Sequence, residues 1–432
     1  MLNNKIILGI TILTWLVVVW FYMSHVSIDH CGNDSWQHVG YTETIVKEHR
    51  LPAPLEGWQT YHPPLYYLIN SFIASNSLYS NKIFHINCVR SISVLYGVIA
   101  LFIILWFISK INQPPLVKLL VSLFIATTPT FVFLFTTYNN DVLAILLSII
   151  MFALSYESYY NWSRSKGIGL LLISTAGLYT KFTFVFSIIS IVLICSKNLL
   201  QLKSPSVPQL RIVYILIFSV VLLFPWLYYH NYHYTKKLFP TNVEQHSEKL
   251  TIENIKPFIK VILPTAILDN FSVKWFTPAT HPFGGIATKK YDYWSYIFIN
   301  SITQGSTFQS PSIVILWLML FTHLLAYLIG MTQMFKTQLT KFASFAILIG
   351  YVASISIFVY AHAQYSFSDY HSANPWIGYR YICWGWLGWA ILYANAFVKS
   401  HNKVLPYIFS RVLLTGILAQ IYFLVTISAC GV

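Results

Sequence analysis

The stretch D-H-C-G-N-D-S-W-Q-H-V-G-Y-T-E-T-I-V-K-E-H-R-L-P-A-P-L-E-G-W-Q-T-Y-H-P-P-L-Y-Y, Asp29 to Tyr67, decides the reading of this chain. It holds Asp29, Asp34, Glu43, Glu48 and Glu56, five of only 13 acidic residues in 432. It also holds His30, His38, His49 and His62. The sequence on either side is apolar enough for lipid. A chain that tolerates so little charge has gathered its acids in one loop, and a functional surface is the reason to expect.

Composition sets the class. The chain is 56% hydrophobic and 17% aromatic but only 9% charged, with mean hydropathy +0.61. Soluble domains carry about 25% charged residues. The expected fold class is therefore an all-α polytopic membrane protein. The formal charge of +14 fits cytoplasmic loops that meet anionic headgroups, and no nucleic-acid partner is expected. The run Ile6 to Tyr22 is long and lacks a small-x-small site after it, so it reads as a retained first helix and not a cleaved leader.

Apolar runs of about 17 to 25 residues mark the spans. They fall near 5–25, 89–109, 115–137, 141–160, 167–180, 182–196, 211–230, 312–334, 342–361, 380–398 and 406–429, about eleven in all. The stretch 167–180 and 182–196 reads either as one long helix or as two short ones turning at Lys181, while the short apolar segment 63–79 is expected in or near the interface. With the N-terminus cytoplasmic, inner loops receive Lys110, Lys118, Arg164, Lys166, Lys197, Arg211 and Lys399, among others. The outer turns near 137–141 and 362–379 receive no Lys or Arg, as the positive-inside rule requires. Two non-cytoplasmic segments are too long to be connectors, 27–88 and 231–311, and long ordered loops are usually functional.

Five places can carry chemistry. Asp34 and His38, at i and i+4, share a helix face. Asp34 suits an N-cap and equally a base that takes a proton from a nucleophile. Tyr61-His62-Pro63-Pro64-Leu65-Tyr66-Tyr67 gives an extended lead and a helix start. Asn139-Asn140-Asp141 opens a span, either as a cap or as a functional acid at a membrane-embedded helix end. Lys181, inside apolar sequence, either snorkels or is paired or anion-binding. Arg380, in Tyr379-Arg380-Tyr381, either anchors an aromatic belt or grips a phosphate or carboxylate with its planar fork. Among the cysteines no CxxC occurs, and Cys31 and Cys88, on one side of the membrane, can bridge.

In chain order these pieces are a first helix, an acidic loop with D-x-x-x-H, L-P, Y-H-P-P-L-Y-Y, N-D, G-L-x-x-T-K and a late R-Y. That order resembles the GT-C-fold integral membrane glycosyltransferases, in the branch of the protein O-mannosyltransferases and lipid A aminoarabinose transferases. The resemblance implies transfer of a sugar from a polyprenyl-phosphate donor on the non-cytoplasmic side to a lipid, glycan or protein acceptor. It implies Asp34 as the catalytic base or acceptor-orienting residue. Lys181 and Arg380 would hold the lipid phosphate, and His62 and Asp141 would line the same cavity. His38, Glu43, Glu56, Tyr61, Asn140 and Tyr381 complete the expected substrate-binding set. Many relatives have Asp-Glu where this chain has Asp34-Ser35, and no D-x-D cluster is found. Both features argue against an obligatory divalent metal without excluding one, and no cofactor is expected to be required. Two other readings compete: a transporter or flippase of lipid-linked sugars, which calls for internal repeats and midplane charge, and a non-catalytic transferase-like subunit.

Overall fold

The computed structural model describes residues 3–26, 35–200, 207–238, 313–332, most of 337–352, 386–395 and 404–429. Asp34, Arg380, Tyr381, Cys31 and nearly all of the second long loop lie outside the described residues. The ordered elements are helices, and there is no strand among the described residues. They run α1 (Asn4–His25), α2 (Ser35–Glu48), α3 (Leu65–Ser80), α4 (Lys82–Lys110), α5 (Pro115–Ala126), α6 (Pro129–Leu134) and α7 (Asn140–Tyr160). Then follow α8 (Arg164–Thr180), α9 (Val185–Leu200), α10 (Val207–Pro225), α11 (Ile313–Met331), α12 (Trp386–Asn395) and α13 (Val404–Ala429).

Among the described residues, five helices are long and apolar enough to cross a membrane: Asn4–His25, Lys82–Lys110, Asn140–Tyr160, Pro208–Thr235 and Phe409–Thr426. Shorter apolar helices, among them Pro115–Ala126, Phe182–Ser196 and Phe321–Met331, pack with them. The expected single span 115–137 is instead two pieces, α5 and α6. Pro129 has no N–H and its ring collides with the preceding turn, so the helix stops ahead of it. The Thr127 and Thr128 hydroxyls donate back to Leu123 and Phe124 carbonyls at 2.9 Å each, which satisfies the broken end.

α7 is the central helix: 72% of its apolar stretch is buried, against 33% for α1. It packs on α4 and α8, and α8 packs on α10. A second group joins α1, α5, α11 and α13. Close contact of α1 with α4 depends on Gly97, where an added Cβ would lie 2.3 Å from the Trp15 ring. α3 forms from the short apolar segment 63–79. It packs between α2 and α4, with Tyr66 and Tyr67 buried.

Candidate active site

The acid-rich loop resolves into α2, a stapled turn and α3. On α2 the buried positions are Ser35, His38, Val39, Tyr41, Thr42 and Val46, a one-sided helical spacing. His49, with φ 53°, turns the chain out of the helix. Arg50 then donates to both Glu56 oxygens, at 2.7 and 2.5 Å, and reaches Glu48 at 2.5 Å. The Ala53 N–H also donates to Glu56, at 2.8 Å. The Arg50 bonds hold the Glu56 carboxyl down at about 2, with slight burial opposing and Ala53 assisting. Glu43 is engaged by Lys82 at 2.6 Å, at the start of α4. Both glutamates thus serve ion pairs that shape the loop.

The inward face of α2 enters a buried aromatic cluster. His38 Nδ1 lies 2.7 Å from the Tyr67 hydroxyl. The His38 and His62 rings are nearly parallel, with centroids 6.4 Å apart, and Tyr61 sits 4.2 Å from His62. Tyr41 stacks on Tyr67 at 3.7 Å and donates to the His62 carbonyl at 3.3 Å. Tyr138 donates to Thr42 at 2.7 Å and lies 3.3 Å from His85 Nε2. Burial pushes Tyr41 and Tyr67 well above the ordinary phenol range, so both stay neutral. The cluster fixes the rotation of α2 about its axis.

One residue beyond Tyr138 a second group begins. The Asn139 side chain accepts from the Asp141 N–H at 2.8 Å, an N-cap that starts α7 as Asn-type caps do. Asn140 donates to the Thr180 carbonyl at 3.4 Å. α8 ends at Thr180, and Lys181 is extended, with φ −158° and ψ 129°. A short 3₁₀ turn, Phe182–Phe184, then leads into α9. Lys181 donates to Asp141, and the two side chains are only 7% and 1% exposed. Lys181 therefore does not snorkel. The pairing suits both helices, with the acid in the first turn of α7 and the cation just past the end of α8.

The structure thus gathers His38, Tyr61 and His62 in one group and Asn140, Asp141 and Lys181 in another, joined through Tyr138-Asn139. Glu43 and Glu56 stand apart in their ion pairs. Tyr41, Tyr67, Tyr138 and Thr42 were not singled out from sequence, although Tyr67 belongs to the Y-H-P-P-L-Y-Y motif. Arg90 was also passed over. Its buried guanidinium donates to the Thr136 carbonyl at 2.8 Å and the Val26 carbonyl at 3.1 Å, which ties the ends of α6 and α1 together. An Arg inside an apolar span was the available signal. Among the described residues no three His, Cys, Asp or Glu side chains gather in metal-ligand geometry.

No protein-family profile and no curated sequence matches the chain. Solved structures do match it. The Archaeoglobus fulgidus oligosaccharyltransferase in its apo form superposes with TM-score 0.53 at 11% identity, over 99% of this chain and 56% of that one. The same organism's oligosaccharyltransferase AglB, in complex with an inhibitory peptide and a dolichol-phosphate, gives 0.53 at 10% identity with the same coverage. The chain spans about half the length of these proteins. At such identity the likeness is one of fold, and the chain has the GT-C fold of these membrane proteins.

Proposed function

We propose that this chain is an integral membrane glycosyltransferase of about eleven spans with a cytoplasmic N-terminus. It moves a sugar from a polyprenyl-phosphate carrier to an acceptor hydroxyl at the non-cytoplasmic face. The observation that carries this reading is a GT-C fold extending over 99% of the chain, shared with an oligosaccharyltransferase solved with a dolichol-phosphate. Fold does not by itself give activity, so the site must add to it. The support there is that α2, which begins one residue after Asp34, is pinned along its buried face by His38, Tyr41 and Thr42.

Asp34 accepts the proton of the acceptor hydroxyl as its oxygen attacks the anomeric carbon. The bond from that carbon to the phosphate oxygen breaks, the phosphate leaves with the electron pair, and the configuration inverts. Arg380 and Lys181 stabilise the leaving phosphate, where charge develops. An ammonium has three N–H donors, which lets Lys181 serve both the Asp141 carboxylate and a phosphate oxygen. No metal is required by this scheme.

The test is a transfer assay with purified protein in lipid nanodiscs, a panel of polyprenyl-phosphate sugars and mixed acceptors. General-base assistance contributes about 10²- to 10⁴-fold, so Asp34→Asn should lose about that much turnover while remaining folded. Transfer by Asp34→Asn at the wild-type rate removes the base. Arg380→Ala should weaken donor binding, and an unchanged donor affinity removes that role. Movement of lipid-linked sugar between leaflets with no transfer from any donor would favour a flippase instead.

A further inference from the structure

The last turns of the span Pro208–Thr235, beyond α10, carry a histidine that the proposed chemistry does not use. The span Pro208–Thr235 has 28 residues, about 42 Å at 1.5 Å per residue, against a hydrocarbon core of about 30 Å. Its last turns, W-L-Y-Y-H-N-Y from Trp226 to Tyr232, wind as a π-helix. Such turns are rare and often mark functional positions. They place His230 face to face on Trp226, with centroids 3.8 Å apart.

His230 meets an acceptor at each ring nitrogen. Nε2 lies 3.0 Å from the carbonyl oxygen of Pro52, 178 residues earlier in the acid-rich loop. Nδ1 lies 2.9 Å from Oδ1 of Asn231. The orientation of that amide is fixed, because its Nδ2 donates to the Leu238 carbonyl at 3.0 Å. Turning it over would set oxygen against oxygen. A neutral imidazole has one N–H, whereas an imidazolium has two. Only the charged ring makes both bonds, and the Trp226 face favours a cation.

We infer that His230 is a charge-dependent clamp, which as an imidazolium ties the first loop at Pro52 to the π-helical turns Trp226–Tyr232 and on deprotonation keeps its Nδ1–H on the adjacent Asn231 and gives up the Pro52 bond. The titratable and charged groups on the elements it touches fall in two sets. On its own segment they are Tyr228, Tyr229, Tyr232, His233, Tyr234, Lys236 and Lys237. On the loop they are Glu48, His49, Arg50, Glu56, Tyr61 and His62, and Arg50 engages both acids. Among the described residues no carboxylate forms an ion pair with His230, so two carbonyl-type oxygens answer its charge. Any bearing on sugar transfer rests on the reading above, since the clamped loop is the one that carries Asp34. The clamp itself stands on the bonds alone.

Histidine changes charge between about pH 5 and 8. The test is amide exchange of the full chain in nanodiscs across that range, corrected for the intrinsic pH dependence of exchange. The reporters are the loop bonds from Glu56 N–H to Ala53 and from Thr60 N–H to Gly57. Protection should fall roughly 2- to 10-fold from pH 5 to pH 8, the size of one lost hydrogen bond. His230→Phe, which keeps the stack on Trp226, should show low protection at every pH. Asn231→Asp supplies a stronger acceptor and should hold the loop to a higher pH. Wild-type protection that does not change with pH overturns the clamp, as does a wild-type pH response in His230→Phe. Should that variant fail to fold, an unmoved midpoint in Asn231→Asp overturns it. No sugar is transferred in this experiment, so its outcome is separate from that of the transfer assay.

Discussion

Lys181 and Asp141 form a buried ion pair that locks the end of α8 to the start of α7. Both charges are out of water, so removing one partner takes from the other the ion pair that offsets its burial. Breaking such a pair costs about 3–5 kcal/mol, while replacing both partners is far milder. Lys181→Met and Asp141→Asn alone should each lower thermal stability sharply in detergent. The double variant should be more stable than the sum of the two losses allows. Strictly additive losses would mean that the two groups do not support one another.

The junction beside Lys181 has no room for a methyl group. A Cβ at Gly177 would lie 2.3 to 2.4 Å from ring atoms of Phe184, and Phe184 is fully buried. Overpacking of this kind costs about 1–3 kcal/mol. Gly177→Ala should therefore lower the unfolding midpoint, and Phe184→Leu in the same chain should restore part of it. A Gly177→Ala protein as stable as the wild type would show that the 3₁₀ turn yields without cost.

The helical class was legible because apolar runs and sparse charge leave no other class open. The break at Lys181 was legible as one of two readings, since a lysine interrupts an apolar run. The break at Thr127-Thr128-Pro129 was just as visible, but unbroken hydropathy concealed a signal that is steric. Pairings across the fold were not legible. Asp141 and Lys181 are 40 residues apart and His230 and Pro52 are 178 apart, and one sequence carries no measure of such contacts. The partners of the acid hoard were hidden for the same reason. Glu43, Glu48 and Glu56 face Lys82 and Arg50, so part of the clustering serves the loop's own architecture.

The Glu56 staple has a pH window of its own. Arg50 holds the carboxyl at about 2, below the ordinary value near 4.3. A depressed folded value gives stabilisation that is complete at neutral pH and lost as pH falls from about 4 through 2. Protection of the Ala53 N–H, which donates to Glu56 at 2.8 Å, should be level from pH 7 to 5 and decline below 4. Because the pair is largely exposed, salt should weaken it. Glu56→Gln should lose the acid transition. A transition that persists in Glu56→Gln would assign it to another acid.

Tyr67 separates positioning from simple support. Its ring stacks on Tyr41 at 3.7 Å, while its hydroxyl meets His38 Nδ1 at 2.7 Å. Tyr67→Phe keeps the stack and removes the hydroxyl. The stability loss should be that of one hydrogen bond, about 0.5–1.5 kcal/mol. The rate should suffer more if α2 aims Asp34 at the acceptor, since a displacement of about 1 Å can cost roughly 10²-fold. Sugar-transfer kinetics of Tyr67→Phe should therefore show a lowered kcat with KM little changed, and an unfolding scan should show only a small shift. A kcat that falls no further than stability explains would make the His38–Tyr67 bond a core contact. A normal kcat beside a defective Asp34→Asn would mean that Asp34 is held by contacts other than this face of α2.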